Sequence, residues 1–145
     1  MGRGLVCRRA TIHEILDLRH KVLRPGKPLE TAEFPGDEQA GTRHFAALEQ
    51  GTHVVCLTLM QSIWEGRRAW QLRGMATDPA VQGRGYGTEL MRFAMRDVQS
   101  EGWSDLYWCN ARLAAVPFYE RNGWRIASEM FDIPLIGPHH KMVRD

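Results

Sequence analysis

A chain of 145 residues is the size of one ordinary domain and is long enough to bury a core. With 43% hydrophobic residues, 25% charged residues and a net charge of +2, it reads as a soluble globular protein, too evenly mixed to imply a nucleic-acid partner. No apolar run approaches the ~20 residues that span a bilayer, and the first residues lack the apolar stretch of a secretory leader, so a cytoplasmic protein is expected.

A short strand is predicted over residues 5–8. A helix follows it, opened by a capping box in which Thr11 is the N-cap and Glu14 reaches back. Ile12, Ile15, Leu16, Val22 and Leu23 repeat at helical spacing, and Pro25-Gly26 stops the helix. Residues 25–43 form the longest irregular stretch. They hold Glu30, Glu33, Asp37 and Glu38, and such a connection serves either as a binding loop or as a solvated surface loop. Three strands are expected at 44–48, 53–63 and 69–77, divided by turns at Gln50-Gly51 and Glu65-Gly66. Residues 87–101 read as a helix, 106–111 as a strand apolar on both faces, and 114–121 as a second short helix stopped at Asn122-Gly123. Residues 124–131 and 140–143 read as closing strands. The result is an α/β domain built on a mixed, mostly antiparallel sheet flanked by helices, one domain over residues 1–145.

Three cysteines, Cys7, Cys56 and Cys109, are an odd number without a CxxC pair. Reduced, buried thiols are expected rather than disulfides or a zinc site. His13, His20 and His53 have no acid or cysteine at metal-ligand spacing, and His139 and His140 are neighbours whose side chains diverge in an extended chain, so no metal is predicted. The five tryptophans read as core or cleft wall.

The segment 82–88, Gln-Gly-Arg-Gly-Tyr-Gly-Thr, falls between a predicted strand and a predicted helix. Glycines at alternating positions let the backbone bring its N–H groups close to a ligand. The first turn of the following helix adds unpaired donors and a favourable dipole. Together they form a site for phosphate, to which Arg84 can add a charge-assisted bond. The loop has no Gly-Lys-Ser/Thr, which argues against an ATP-type P-loop, and its G-x-G-x-G spacing departs from the dinucleotide G-x-G-x-x-G. A pyrophosphate on another cofactor and a purely structural glycine turn both remain open on spacing alone.

Gln82, Gly85 and Gly87 as Q-x-x-G-x-G resemble the signature of the GNAT superfamily of N-acetyltransferases, with residues 72–79 resembling the strand that leads into it. Asn110 and then Ala115, Phe118, Tyr119, Gly123 and Trp124 are similar to that family's N…A-x-x-F-Y-x-x-x-G-F segment, with Trp124 in the usual Phe position. Weaker similarities near residues 18–45 and 137–142 resemble the small bacterial ElaA-type members.

The resemblance implies a GNAT-like fold in which the fourth and fifth strands splay to hold acetyl-CoA. Main-chain groups of Met75, Ala76 and Thr77 would pair with the acetyl-pantetheine arm. The loop Gln82, Gly83, Arg84, Gly85, Tyr86, Gly87 and Thr88 would hold the pyrophosphate, and Asn110 would contact the pantetheine. Tyr119 would be the general acid that protonates the departing thiolate. The reaction implied is direct attack on acetyl-CoA by a primary amine of a small molecule or peptide. The residues offer Glu33, Asp37, Glu38, His44, His139 or water as the general base, and Arg73 either as a carboxylate ligand or as the partner of a loop acid. Cys109 neighbours Asn110 and therefore points to the opposite face, as a structural thiol. Two other readings stay open, a non-catalytic acyl-CoA-binding module and transfer of a different acyl group. The expected partner is the amine substrate, with a homodimer allowed and neither nucleic acid nor membrane expected.

Overall fold

The computed structural model describes residues 4–145, and its architecture follows from where apolar side chains alternate. Strand β1 (Leu5–Ala10) leads into helix α1 (Ile12–Leu23), and the capping box forms as expected: Thr11 Oγ1 accepts from Glu14 N, and Glu14 Oε1 accepts from Thr11 N. β2 (Thr42–Glu49), β3 (Thr52–Trp64) and β4 (Arg67–Thr77) form an antiparallel meander. Helix α2 (Tyr86–Gln99), strand β5 (Tyr107–Arg112), helix α3 (Val116–Arg121) and strands β6 (Arg125–Ile126), β7 (Phe131–Ile133) and β8 (Gly137–Arg144) complete the chain.

Among the described residues eight strands join one sheet in the order β1-β2-β3-β4-β5-β8-β6, with β7 beside β8, and only the β4–β5 pair is parallel. Period-two alternation assigns the two faces. Phe45, Val55, Leu57 and Leu59 pack with Leu90, Met91, Ala94 and Val98 of α2, whereas Ala46, Cys56 and Ala76 pack with Ile15 and Leu18 of α1. The two long helices therefore cover opposite faces. Each fully buried Leu or Ile in these layers contributes about 1.5–3 kcal/mol.

Three local expectations change. The strand expected at 124–131 is broken into β6 and β7, because Ser128 takes over the ladder: its Oγ accepts from Lys141 N at 2.8 Å and its carbonyl accepts from His140 Nδ1 at 3.1 Å. The helix expected at 114–121 begins as a 3-10 turn, Leu113–Ala115, and becomes α3 only where Pro117 fixes its first turn. The stretch 25–43 contains a 3-10 turn, Leu29–Ala32, and is tied to the core through a buried arginine, Arg19, on the apolar face of α1.

Candidate active site

Strands β4 and β5 pair only at Trp70–Tyr107, Gln71–Trp108 and Leu72–Cys109, then part. The divergence coincides with a bulge on the other edge of β4. Cys56 faces Ala76 and Thr58 faces Arg73, which leaves Leu57 opposite both Gly74 and Met75. A bulge breaks the ladder locally and re-aims the backbone, here at the mouth of the gap. Gly74 adopts φ +59°, and the Arg19 guanidinium lies against it.

Two cavities open from this gap. The larger, 610 Å³, is walled on one side by Met75, Ala76 and Thr77 and on the other by Gln82, Gly83, Gly85, Tyr86, Gly87 and Thr88. Gly83 and Gly85 hold φ +83° and +80°, and nothing lies within 4 Å of where a side chain would project. Gly85 is the N-cap of α2 and supplies no capping side chain, and Tyr86, Gly87 and Thr88 of the first helical turn line the cavity. The loop is anchored from behind, where Tyr86 Oη donates to Glu49 Oε2 at 2.6 Å. Arg84, expected on the phosphate, stands outside this wall, with its Nη1 3.7 Å from Glu49 Oε2. The cation that does line the cavity is Arg121 at the end of α3, which the sequence reading missed.

The second cavity, 390 Å³, is walled by Leu23, Phe34, Gln71, Arg73, Ile133 and His139, among others. Asn110 belongs to this cavity and not to the larger one, and its Oδ1 accepts from Lys141 Nζ at 3.0 Å. Arg24 and Arg112 also line it. Position 112 lies two residues beyond Asn110 on the same strand face, a signal the strand period contains.

Met75, Ala115 and Tyr119 line both cavities. Tyr119 is buried, its ring edge-on to Trp124 at 5.2 Å and to Phe118 at 5.3 Å. Burial pushes its pKa well above the ordinary tyrosine value, and the neighbouring Cys109 thiol, hydrogen-bonded to it, adds to the shift. The hydroxyl is therefore a proton donor at any physiological pH. Cys109 is 1% exposed, and burial pushes its thiol up to about 12. A thiol so far from its thiolate form is a poor nucleophile, which fits a structural role.

The five candidate bases are not equivalent. Asp37 is paired with Arg19. His44 Nε2 donates to Asp37 O at 2.8 Å, and its Nδ1 accepts from Thr58 Oγ1 at 2.7 Å. Neither lines either cavity, and Glu33 and Glu38 lie on a separate groove beside α1. Of the five, only His139 lines the 390 Å³ cavity. Its Nδ1 donates to Gly137 O at 2.7 Å, so in the neutral ring Nε2 carries the lone pair. Among the described residues, no group of three or more His, Cys, Asp or Glu is placed to hold a metal, and no helix is long and apolar enough to cross a membrane.

A sheet opened between a parallel pair, with a glycine loop at the head of the next helix, is the architecture of an acyl-CoA N-acyltransferase. Residues 40–126, more than half of the chain, match the acetyltransferase (GNAT) domain, and the chain belongs to that family. It is 29% identical to YitI of Bacillus subtilis, an N-acetyltransferase described as uncharacterized, over 92% of this chain and 91% of that one. Among solved structures it shares its fold with Escherichia coli ElaA, at a TM-score of 0.81 and 16% identity over 97% of this chain and 99% of that one. It shares it also with an aminoglycoside 6'-N-acetyltransferase complexed with coenzyme A, at a TM-score of 0.75 and 14% identity over 96% of both chains.

Proposed function

We propose that the protein transfers an acetyl group from acetyl-CoA to a primary amine of a small molecule or peptide, by direct attack with both substrates bound. The observation that carries this reading is the meeting of two cavities at Tyr119, Met75 and Ala115. One is a glycine-rich cradle for a pyrophosphate and the other a blind side from which an acceptor reaches the same point. Acetyl-CoA supplies the activated acetyl group.

The chain's own residues supply position and protons. The main chain of Met75, Ala76 and Thr77, left without a β5 partner by the splay, holds the pantetheine arm as an added strand. The N–H groups of the 83–88 loop hold the pyrophosphate. The Met75 N–H, at the bulge, polarises the thioester carbonyl. His139 takes the proton that the attacking amine gives up, and Tyr119 Oη gives one to the sulfur as the C–S bond breaks. The two groups return to their starting states through solvent after the products leave.

Acetyl-CoA at 100 times its dissociation constant should stabilise the fold by about 2.7 kcal/mol. In a screen of amines the protein should release free CoA thiol. Absence of both thermal stabilisation at millimolar acetyl-CoA and thiol release with any amine would refute the reading. Stabilisation without turnover would leave an acyl-CoA-binding module.

A further inference from the structure

The 390 Å³ cavity carries charge of one sign. Arg24, which caps the C-terminus of α1, Arg73 of β4 and Arg112 at the end of β5 all line it, and among the described residues no aspartate or glutamate does. Among the described residues none of the three forms an ion pair. Asp37, whose charge reaches Arg73, is already bound in both oxygens by Arg19. The three guanidiniums bond only to main-chain carbonyls and one thioether. Arg24 and Arg112 both donate to Leu23 O, at 3.0 and 2.9 Å, and Arg73 donates to Pro35 O and touches Met60 Sδ. The Phe34 ring provides a face for two of them, 5.1 Å from Arg24 and 5.4 Å from Arg73.

Such a cluster opposes itself. Arg24, Arg73 and Arg112 are all half-buried, and burial pulls each guanidinium pKa below its ordinary value. For Arg24 the charges of Arg112 and Arg19 pull further in the same direction. Each arginine has five N–H donors and has committed only one or two. Unused donors and unneutralised charge converging on one space select an anion, and the planar fork of arginine matches a carboxylate in two-point contact.

We propose that this cavity is a carboxylate-binding subsite, so that one of the two reactants carries a carboxylate into it beside the reacting atoms. This rests on the acyl-transfer reading above. The carrier is either the acceptor, as an amino acid or acidic peptide, or the far end of a dicarboxylic acyl chain. A polycationic amine is the acceptor chemistry the cavity rejects.

The test compares amines that differ only in the carboxylate, glycine with glycinamide and glutamate with its diamide, in a CoA-thiol release assay with acetyl-CoA and with succinyl-CoA. With acetyl-CoA, the carboxylate member of each pair should have a kcat/KM at least 10-fold above its amide. Arg112→Gln should erase that preference by raising KM, and Arg112→Lys should restore part of it. Turnover of the amides with succinyl-CoA but not acetyl-CoA would support the subsite and assign the carboxylate to the acyl chain. Amides used as well as their acids with acetyl-CoA, or a preference that survives both Arg73→Gln and Arg112→Gln, would overturn the proposal while leaving acetyl transfer intact. If no acyl-CoA is turned over, the acyl-transfer reading is what fails, and calorimetric titration with glutamate and its diamide judges the subsite alone. Binding of glutamate only, lost in Arg112→Gln, sustains it, and equal or absent binding ends it.

Discussion

A Cβ placed on Gly74 would stand 2.6 Å from Arg19 Nε and 3.1 Å from its Cζ, so the glycine at the bulge of β4 leaves the room in which an arginine from α1 lies. Arg19 has no room to step aside. Its Nη1 donates to Ala32 O at 2.9 Å and to Asp37 Oδ2 at 2.7 Å, its Nη2 donates to Thr58 Oγ1 at 2.9 Å, and Phe34 stacks 4.2 Å away. Gly74→Ala therefore meets both a backbone that L-residues avoid, at φ +59°, and a fixed neighbour. It should destabilise the protein by about 2–4 kcal/mol in urea unfolding, from the left-handed backbone plus overpacking. It should also lower activity by shifting Met75. A variant as stable as the native protein would show the contact to be soft.

The same arginine ties the 25–43 stretch to the body of the protein. Asp37 is 8% exposed and Arg19 fully buried, so Asp37→Ala leaves a buried cation without its partner. Breaking one side of such a pair costs about 3–5 kcal/mol. Asp37 Oδ2 also accepts from Phe34 N at 2.7 Å, and that turn is released with it. Because Phe34 lines the 390 Å³ cavity, KM for the acceptor should rise more than KM for acetyl-CoA. Unfolding midpoints and the two KM values check this, and an equal rise in both would detach the loop from acceptor binding.

The elements that were legible in the sequence are those whose cause is local. The capping box at Thr11 and Glu14, the turns at Gly51 and Gly66, and the glycine loop before α2 each announce themselves within a few residues. The paired motifs singled out Tyr119, which lines both cavities. Arg19 was not legible. It falls on the apolar face one turn after Ile15, where an arginine ordinarily snorkels to water, and its partner is 18 residues away across an irregular segment. The arginine-lined cavity was hidden for the same reason. Phe34, Ile133 and Ile136 come from a loop, the end of the three-residue strand β7 and the turn after it, all too short to show a periodicity, and only the fold brings them beside Arg112.

The proposed cofactor cradle is tested at Gly85. At φ +80° with open space beside it, Gly85→Ala clashes with nothing but strains the backbone, which costs about 1–2 kcal/mol of stability. Affinity for acetyl-CoA should fall by more than 10-fold, since the added methyl also occupies the approach to the α2 N-terminus. Calorimetric titration against a thermal-unfolding control separates the two effects. A loss of stability with unchanged affinity would place the pyrophosphate elsewhere.

His44 gives the fold a pH limit. Burial holds its pKa below the ordinary value of 6.5, the charges of Arg19 and Arg73 push the same way, and Asp37 opposes them. The unfolded chain therefore takes up the proton first as pH falls. The contribution of the neutral ring is fully present above about 6.5 and is lost as pH drops through that value toward the lower folded one. Glu14 titrates in a separate window, from 4.5 down to about 2, because Arg8 and the Thr11 N–H hold its carboxylate ionised. Urea midpoints between pH 8 and pH 5 should fall more steeply for the native protein than for His44→Gln. Parallel curves would mean another group sets the slope.

In the proposed reaction Tyr119 and His139 handle different protons, one given to the sulfur and one taken from the amine, so their variants should fail differently. Tyr119→Phe keeps the ring against Trp124 and Phe118 and removes only the hydroxyl. Stability should change by about 1 kcal/mol or less, while kcat falls by about 10²-fold or more. Raising the pH does not help, because the missing proton belongs to the departing sulfur. His139→Gln should lower kcat to a similar degree near neutrality and then recover as pH rises, since solvent hydroxide can then take the proton that the attacking amine gives up. Profiles of kcat against pH for the two variants, taken with one amine, decide the assignment. Recovery of Tyr119→Phe at high pH, or none for His139→Gln, would exchange or remove the roles given to them.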